Sequence, residues 1–300
     1  MAVLQVEHLT KDFGQGKGVF DVSFSLEEGE VFGFLGPNGA GKTTTIRHIL
    51  GFSRPQSGST SVQGLDSWKQ ADQIQKRLGY LPGEIAFPDD MTGLGFIRFM
   101  AEMRGMRDLS RAYRLMEQFA LDPSGRLKRM SKGMKQKIGL VCAFMHDPHI
   151  LILDEPTSGL DPLMQNTFVD LIMEEKGRGK TILMSSHMFE EVEKTCDRIA
   201  IIKAGKIQAN VEADELRHAR RKIYKLELLR PEQWDAFAAE KLDFTQLEPE
   251  KLQARAAVRD EDINAFIRLL SGYELKYLTE EKRTLENYFM RFYGGDSHVQ

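Results

Sequence analysis

Residues 31–44 read VFGFLGPNGAGKTT, an apolar pentad running straight into G-x-x-x-x-G-K-T between Gly36 and Thr43. Five consecutive apolar positions bounded by turn residues are the pattern of a short strand buried on both faces. Gly36, Gly39 and Gly41 let the chain curl so that backbone N–H groups point inward at an anion, with Pro37, Asn38 and Ala40 between them. The helix that follows, Thr43 to Leu50, adds its positive end. Lys42 then neutralises the β and γ phosphates, and Thr43, followed by Thr44, offers a hydroxyl to magnesium. An ordinary glycine turn capping a helix is the plainer alternative. A chance match to the full motif arises roughly once per hundred chains of this length, so phosphate binding outweighs it.

Working outward, Ile150 to Leu153, Thr181 to Ser185 and Ile199 to Ile202 are further short apolar strands separated by helical stretches. Together with Val31 to Leu35 they predict an α/β core around a parallel sheet. Val3 to Val6, Val19 to Leu26 and Ser59 to Gln63 alternate instead and suggest an antiparallel layer. The run Ile150-Leu-Ile-Leu-Asp154-Glu155 ends in two carboxylates at the carboxyl end of a buried strand, where Asp154 is placed to serve magnesium. Glu155, one position on, is placed to take a proton from the attacking water or to orient it. Taken alone, a solvated Asp-Glu turn would be the simpler reading; the phosphate loop reverses that preference. His187 also follows an apolar strand and is a candidate γ-phosphate ligand by position, whereas a lone histidine is more often a cap or core residue.

The loop at Gly36–Thr43 identifies a P-loop NTPase, and Met130-Ser-Lys-Gly-Met-Lys-Gln-Lys137, about twenty residues before the Asp154 strand, resembles the signature of ABC ATPases. Ser131 and Gly133 match that signature, while Lys132 and Met134 depart from its commonest wording. Ser158-Gly-Leu-Asp161 resembles the D-loop of the same family, and Phe13 resembles the aromatic that stacks on adenine, with core packing as the rival role. The resemblance spans about Ala2 to Glu215. It implies ATP as ligand, magnesium as cofactor, a homodimer closing head to tail, and a separate integral-membrane permease as partner. It also implies a protein peripheral to the inner face of the cell membrane through that permease. The wording YLPGE with SKGMKQK is similar to bacterial exporter ATPases of the drug or antimicrobial-peptide resistance kind. One element departs from the family: after Leu78-Gly-Tyr-Leu-Pro82 the usual glutamine is replaced by Gly83 and Glu84. Either Glu84 substitutes as a metal-shell ligand or the contact is lost at some cost in rate. The rival classes are a soluble, non-transport ABC ATPase and an ATP-dependent regulatory protein. Ribosomal forms usually have two cassettes and DNA-repair forms a long coiled coil; intact Glu155 and His187 argue against the regulatory class.

The 300 residues suit one large domain and a smaller one. A net charge of −3 gives no general reason to expect nucleic-acid binding, and the basic stretch His218–Lys225 reads as a solvated helix face. Cys142 and Cys196 lack any CxxC spacing, so neither a disulfide framework nor a zinc site is expected, and a reducing, cytoplasmic compartment is. No run reaches the eighteen or so apolar residues that span a bilayer, and the N-terminus does not read as a secretory signal. Helical periodicity in Leu94–Met103, Ser110–Phe119 and Lys132–Phe144 predicts a helical subdomain over about 89–146. The ATPase domain is expected to occupy 1–215. Over 216–300 the order of strand and helix signals is βαββαβ, a ferredoxin-like α+β arrangement, with a last helix around Leu285–Phe292 and a frayed tail.

Overall fold

The computed structural model describes residues 2–213 and 221–281, and the chain divides into two compact units, residues 1–213 and 214–300. In the first unit, strands β1 (Ala2–Asp12), β2 (Gly18–Glu27), β4 (Ser57–Val62) and β5 (Leu65–Asp66) form an antiparallel sheet in the order β2-β1-β4-β5. Alternation decides its inner face: Leu4, Val6 and Leu9 of β1 and Val22, Phe24 and Leu26 of β2 are buried, with polar residues between them. A six-stranded sheet lies beneath, ordered β10-β9-β3-β8-β7-β6. Its members are β3 (Val31–Leu35), β6 (Leu78–Leu81), β7 (Ile150–Asp154), β8 (Thr181–Ser186), β9 (Arg198–Lys203) and β10 (Lys206–Glu212). All neighbours are parallel except the edge strand β10, and β3, β7 and β8 are buried at every position.

Helix α1 (Lys42–Ile49) packs Ile46 and Ile49 into one core with residues of both sheets, including Leu4, Phe24, Phe32, Phe34, Ile152 and Leu183. Within that core Phe24 stacks on Phe32, ring centres 5.1 Å apart. After the short α2 (Ala71–Arg77) and β6 comes the helical segment, α3 (Gly93–Met103), α4 (Ser110–Gln118) and α5 (Lys132–Phe144). Arg111 of α4 fastens it to the first unit's α6 (Pro162–Gly177), donating to Glu175 at 2.6 Å and to the carbonyl of Phe144 at 2.9 Å. Between β8 and β9 lies α7 (Phe189–Thr195). Parallel pairing brings strand ends level, Leu35 beside Ser186 and Asp154 beside Ser185, with Leu81 opposite Leu153. The loops after four strands therefore open from one edge of the sheet, the place where open α/β sheets bind ligands.

The second unit is a four-stranded antiparallel sheet ordered β12-β13-β11-β14, made of β11 (Arg221–Leu228), β12 (Phe244–Glu248), β13 (Gln253–Arg259) and β14 (Leu275–Glu281). With helices α8 (Trp234–Ala238) and α9 (Ile263–Leu270) this is the split βαβ arrangement of ferredoxin-like folds. Its core comprises Leu226, Leu228, Phe237, Ala254, Ala256 and Phe266. The basic stretch is corrected here: residues 221–225 lie in strand β11, which pairs with β13 and β14 and turns Tyr224, Leu226 and Leu228, two residues apart, to the core. Residues 218–220 of that stretch, the helix expected around Leu285–Phe292 and the tail lie outside the described residues. No helix among the described residues is long and apolar enough to cross a membrane. Cys142 and Cys196 are buried and in no disulfide.

Candidate active site

The loop from Gly36 to Gly41 is held by its own backbone. Gly36 donates to Ser186 O at 3.2 Å, Ala40 N donates to Pro37 O, and Gly41 precedes α1 at φ +111°. A Cβ at Gly36 would lie 2.4 Å from the carbonyl of Ile202, so that close approach excludes a side chain. Lys42 is 5% exposed and folds back, its Nζ donating to Gly36 O at 2.5 Å and Pro37 O at 3.2 Å. Thr43 stands at the head of the helix beside it.

Opposite this loop, the end of β7 carries the carboxylates. Asp154 is fully buried; its Oδ1 accepts from Ser185 Oγ at 2.5 Å, and its Oδ2 has no hydrogen-bond partner among the described residues. A buried carboxylate oxygen left without a donor is costly unless something absent from the chain completes it. The residues thus fit a hard cation at this point. Gly83 faces the same atom: a Cβ there would sit 3.1 Å from Asp154 Oδ2. The departure at position 83 therefore leaves the carboxylate uncrowded, and Glu84 beside it is exposed.

Glu155 turns the chain out of the strand in the left-handed region, φ +50°, which costs a non-glycine residue of order 1 kcal/mol. Four hydrogen bonds hold it there. Its N–H is shared between Ser185 O and Oγ, and Gln136 Nε2 donates to both Glu155 O (3.2 Å) and Pro156 O (2.9 Å). The side chain then bridges two loops: Oε1 lies 2.9 Å from Lys42 Nζ as an ion pair, and Oε2 lies 2.5 Å from His187 Nδ1. Lys42, Glu155 and His187, drawn from three loops across a span of more than a hundred residues, form one contact chain.

The family model described as ABC transporter matches residues 19–158. An uncharacterized ABC transporter ATP-binding protein of Methanocaldococcus jannaschii is 38% identical over 208 residues, 68% of this chain and 75% of the relative. The bacitracin transport ATP-binding protein BcrA of Bacillus licheniformis is 30% identical over 301 residues, covering 98% of each chain. The chain belongs to the ATP-binding subunits of ABC transporters. The linearmycin resistance ATP-binding protein LnrL of Bacillus subtilis is 38% identical over 212 residues, 69% of this chain and 68% of that one. Among solved structures, one described as the ATP binding subunit of an ABC transporter matches with a TM-score of 0.64 at 32% identity, over 72% of this chain and 92% of that one.

The stretch that resembles the ABC signature opens α5. Ser131 caps the helix, its Oγ accepting from Met134 N at 3.2 Å, and Lys132 Nζ donates to Ser158 Oγ at 2.7 Å. A Cβ on Gly133 would lie 2.6 Å from Gly159 O, so the signature glycine and the D-loop touch and neither tolerates bulk. Asp161 accepts from Met164 N at 3.0 Å as the cap of α6. Phe13 is 61% exposed, which removes the core-packing reading; Lys11 Nζ stands 5.9 Å from its ring centre.

Gln136 is the residue that motif reading passed over. It is buried at 3% exposure, and its only signal was a polar residue on the apolar face of α5. Gln136→Leu removes two hydrogen bonds and strands two buried carbonyls, a cost of about 2 kcal/mol. The variant is expected to melt several degrees lower, and an unchanged thermal midpoint would show that the carbonyls find other donors.

Proposed function

We propose that two copies of this ABC subunit close head to tail around two ATP molecules, hydrolyse them and drive a separate permease. The observation that carries this reading is the contact chain Lys42–Glu155–His187 at the mouth of the phosphate loop, beside the unpartnered oxygen of Asp154. In the proposed arrangement Phe13 stacks on adenine, the backbone from Gly36 to Thr44 and Lys42 hold the phosphates, and Ser131 and Gly133 of the second copy face the γ-phosphate, with Asp161 near the junction. Magnesium would be held by the Thr43 hydroxyl and Asp154, with Glu84 as a further candidate ligand, and would neutralise phosphate charge. Glu155 takes the proton of the attacking water. His187 shares that carboxylate through Nδ1, so touching an anionic phosphate through Nε2 as well requires both ring nitrogens to carry protons.

The likeness to the linearmycin resistance and bacitracin transport proteins supports export of a drug or antimicrobial peptide, and the permease would hold the subunit at the cytoplasmic face of the membrane. We assign residues 1–215 to the ATPase domain and 216–300 to an accessory domain that steadies the dimer.

Mixing two inactive variants tests the shared site. Lys42→Met and Ser131→Arg are each expected to abolish hydrolysis. In their mixture each heterodimer has one intact site, so activity recovers to roughly a quarter of the wild type. A mixture as inactive as its parts would mean that each site is completed within one chain. For Phe13→Ala, the ATP KM is expected to rise about tenfold with kcat and melting temperature unchanged, as loss of one stacking contact predicts. A KM equal to wild type would remove Phe13 from the site.

A further inference from the structure

The two loops that carry the chemistry meet at a third carboxylate, which none of the motifs includes. Glu191, in the first turn of α7, is 5% exposed. Its Oε2 accepts from Ser186 Oγ at 2.8 Å and from Thr157 Oγ1 at 3.1 Å. Ser186 adjoins His187, and its Oγ also accepts from Met188 N at 2.9 Å, fixing the turn around the histidine. Thr157 lies two residues beyond Glu155, at the start of the D-loop. One carboxylate oxygen thus ties together the backbones that present Glu155 and His187.

Packing alone does not fix these loops. A cavity of about 210 Å³ lies among them, lined by Thr157, Asn166, Met188 and Glu191 among others. Glu191 Oε1 is buried with no hydrogen-bond partner among the described residues. A buried carboxylate with one oxygen unused costs stability that an amide or an apolar residue of similar size would not, so a purely structural tie has no need of it.

We propose that Glu191 is a positioning residue that couples the His187 loop to the Glu155–Asp161 loop, so that base and histidine reach ATP as one unit. The inference rests on the hydrolytic reading above. Burial, against the two hydroxyl bonds, raises the Glu191 pKa to about 7, and the nearby Glu155 carboxylate adds to the rise. The other titratable groups around it are His187 on the loop, Glu190 and Lys194 on its own helix, and Cys196. The residues of α6 that line the cavity are Pro162, Gln165, Asn166 and Val169, none charged. Above pH 7 the ionised carboxylate accepts from both hydroxyls. Below it the proton settles on the unpartnered Oε1, the acceptor becomes neutral, and the tie weakens.

The test combines hydrogen–deuterium exchange of segments 155–161 and 185–191 with the pH dependence of ATP hydrolysis by the purified chain. In Glu191→Ala both segments are expected to exchange faster, and kcat to fall about tenfold with the ATP KM within about twofold. Glu191→Gln, a neutral acceptor like the protonated acid, should recover kcat only to the level the wild type shows near pH 6, and should lose the rise between about pH 6 and 8 that the wild type shows. Faster exchange in only one segment, or an alanine variant matching wild type in kcat and pH profile, would overturn the proposal. Should Glu191→Ala fail to fold, Thr157→Val removes one tether, and exchange in 185–191 is still expected to rise; no change there counts against it. Exchange needs no turnover, so an inactive wild type would count against the hydrolytic reading and leave this coupling to be judged by exchange.

Discussion

Glu155→Gln is expected to lower steady-state ATP hydrolysis by on the order of a hundredfold or more, the range seen when a general base is removed. The amide keeps the length of the side chain and a partner for His187, but it cannot take a proton from water. A second consequence follows from the geometry. Glu155 Oε1 is 2.9 Å from Lys42 Nζ, so an incoming γ-phosphate competes with that carboxylate for the lysine. Neutralising Glu155 removes both the competition and the repulsion between carboxylate and phosphate. The variant should therefore bind ATP more tightly while hydrolysing it poorly, and should elute as an ATP-dependent dimer in size-exclusion chromatography with magnesium. Hydrolysis within a few-fold of wild type would remove Glu155 from the role of base.

Lys42→Met has the opposite signature. Nζ is buried and bonded to the carbonyls of Gly36 and Pro37, so it is aimed by the loop before ligand arrives and little ordering is left for ATP to supply. Removing it deletes a charge-assisted contact to phosphate and strands Glu155 near the anion, at a cost of about 3 kcal/mol or roughly a hundredfold in affinity. Equilibrium titration with a fluorescent ATP analogue would check this. Affinity within about threefold of wild type would mean that the backbone cradle alone carries binding.

Short strands that are apolar at every position were legible because both faces of the parallel sheet are covered, which removes the alternation a half-exposed strand would show. Val31–Leu35 and Ile150–Asp154 are buried throughout. Lys206–Glu212 was passed over for the converse reason: as the antiparallel edge strand it has alternating exposure and reads KIQANVE. Leu78–Leu81 is only four residues long and follows a helix directly, too short for any period to register. In residues 221–225 the lysines suggest a charged surface, whereas Tyr224, Leu226 and Leu228, two residues apart on the core face, carry the strand signal.

By itself the sequence determined the family and singled out the candidate phosphate loop and the two carboxylates proposed for catalysis, because each depends on residues adjacent along the chain, where spacing is geometry. Only the tertiary structure decided that Lys42, Glu155 and His187 touch, and that Ser185 claims one oxygen of Asp154 and leaves the other bare. It likewise decided that Gln136 holds the strained Glu155 turn and that Glu191 ties Thr157 to Ser186. Most of those contacts join residues about twenty to more than a hundred positions apart, brought level by the order in which parallel strands lie side by side. Strand order is settled by how the layers pack, which the local sequence of each strand does not record.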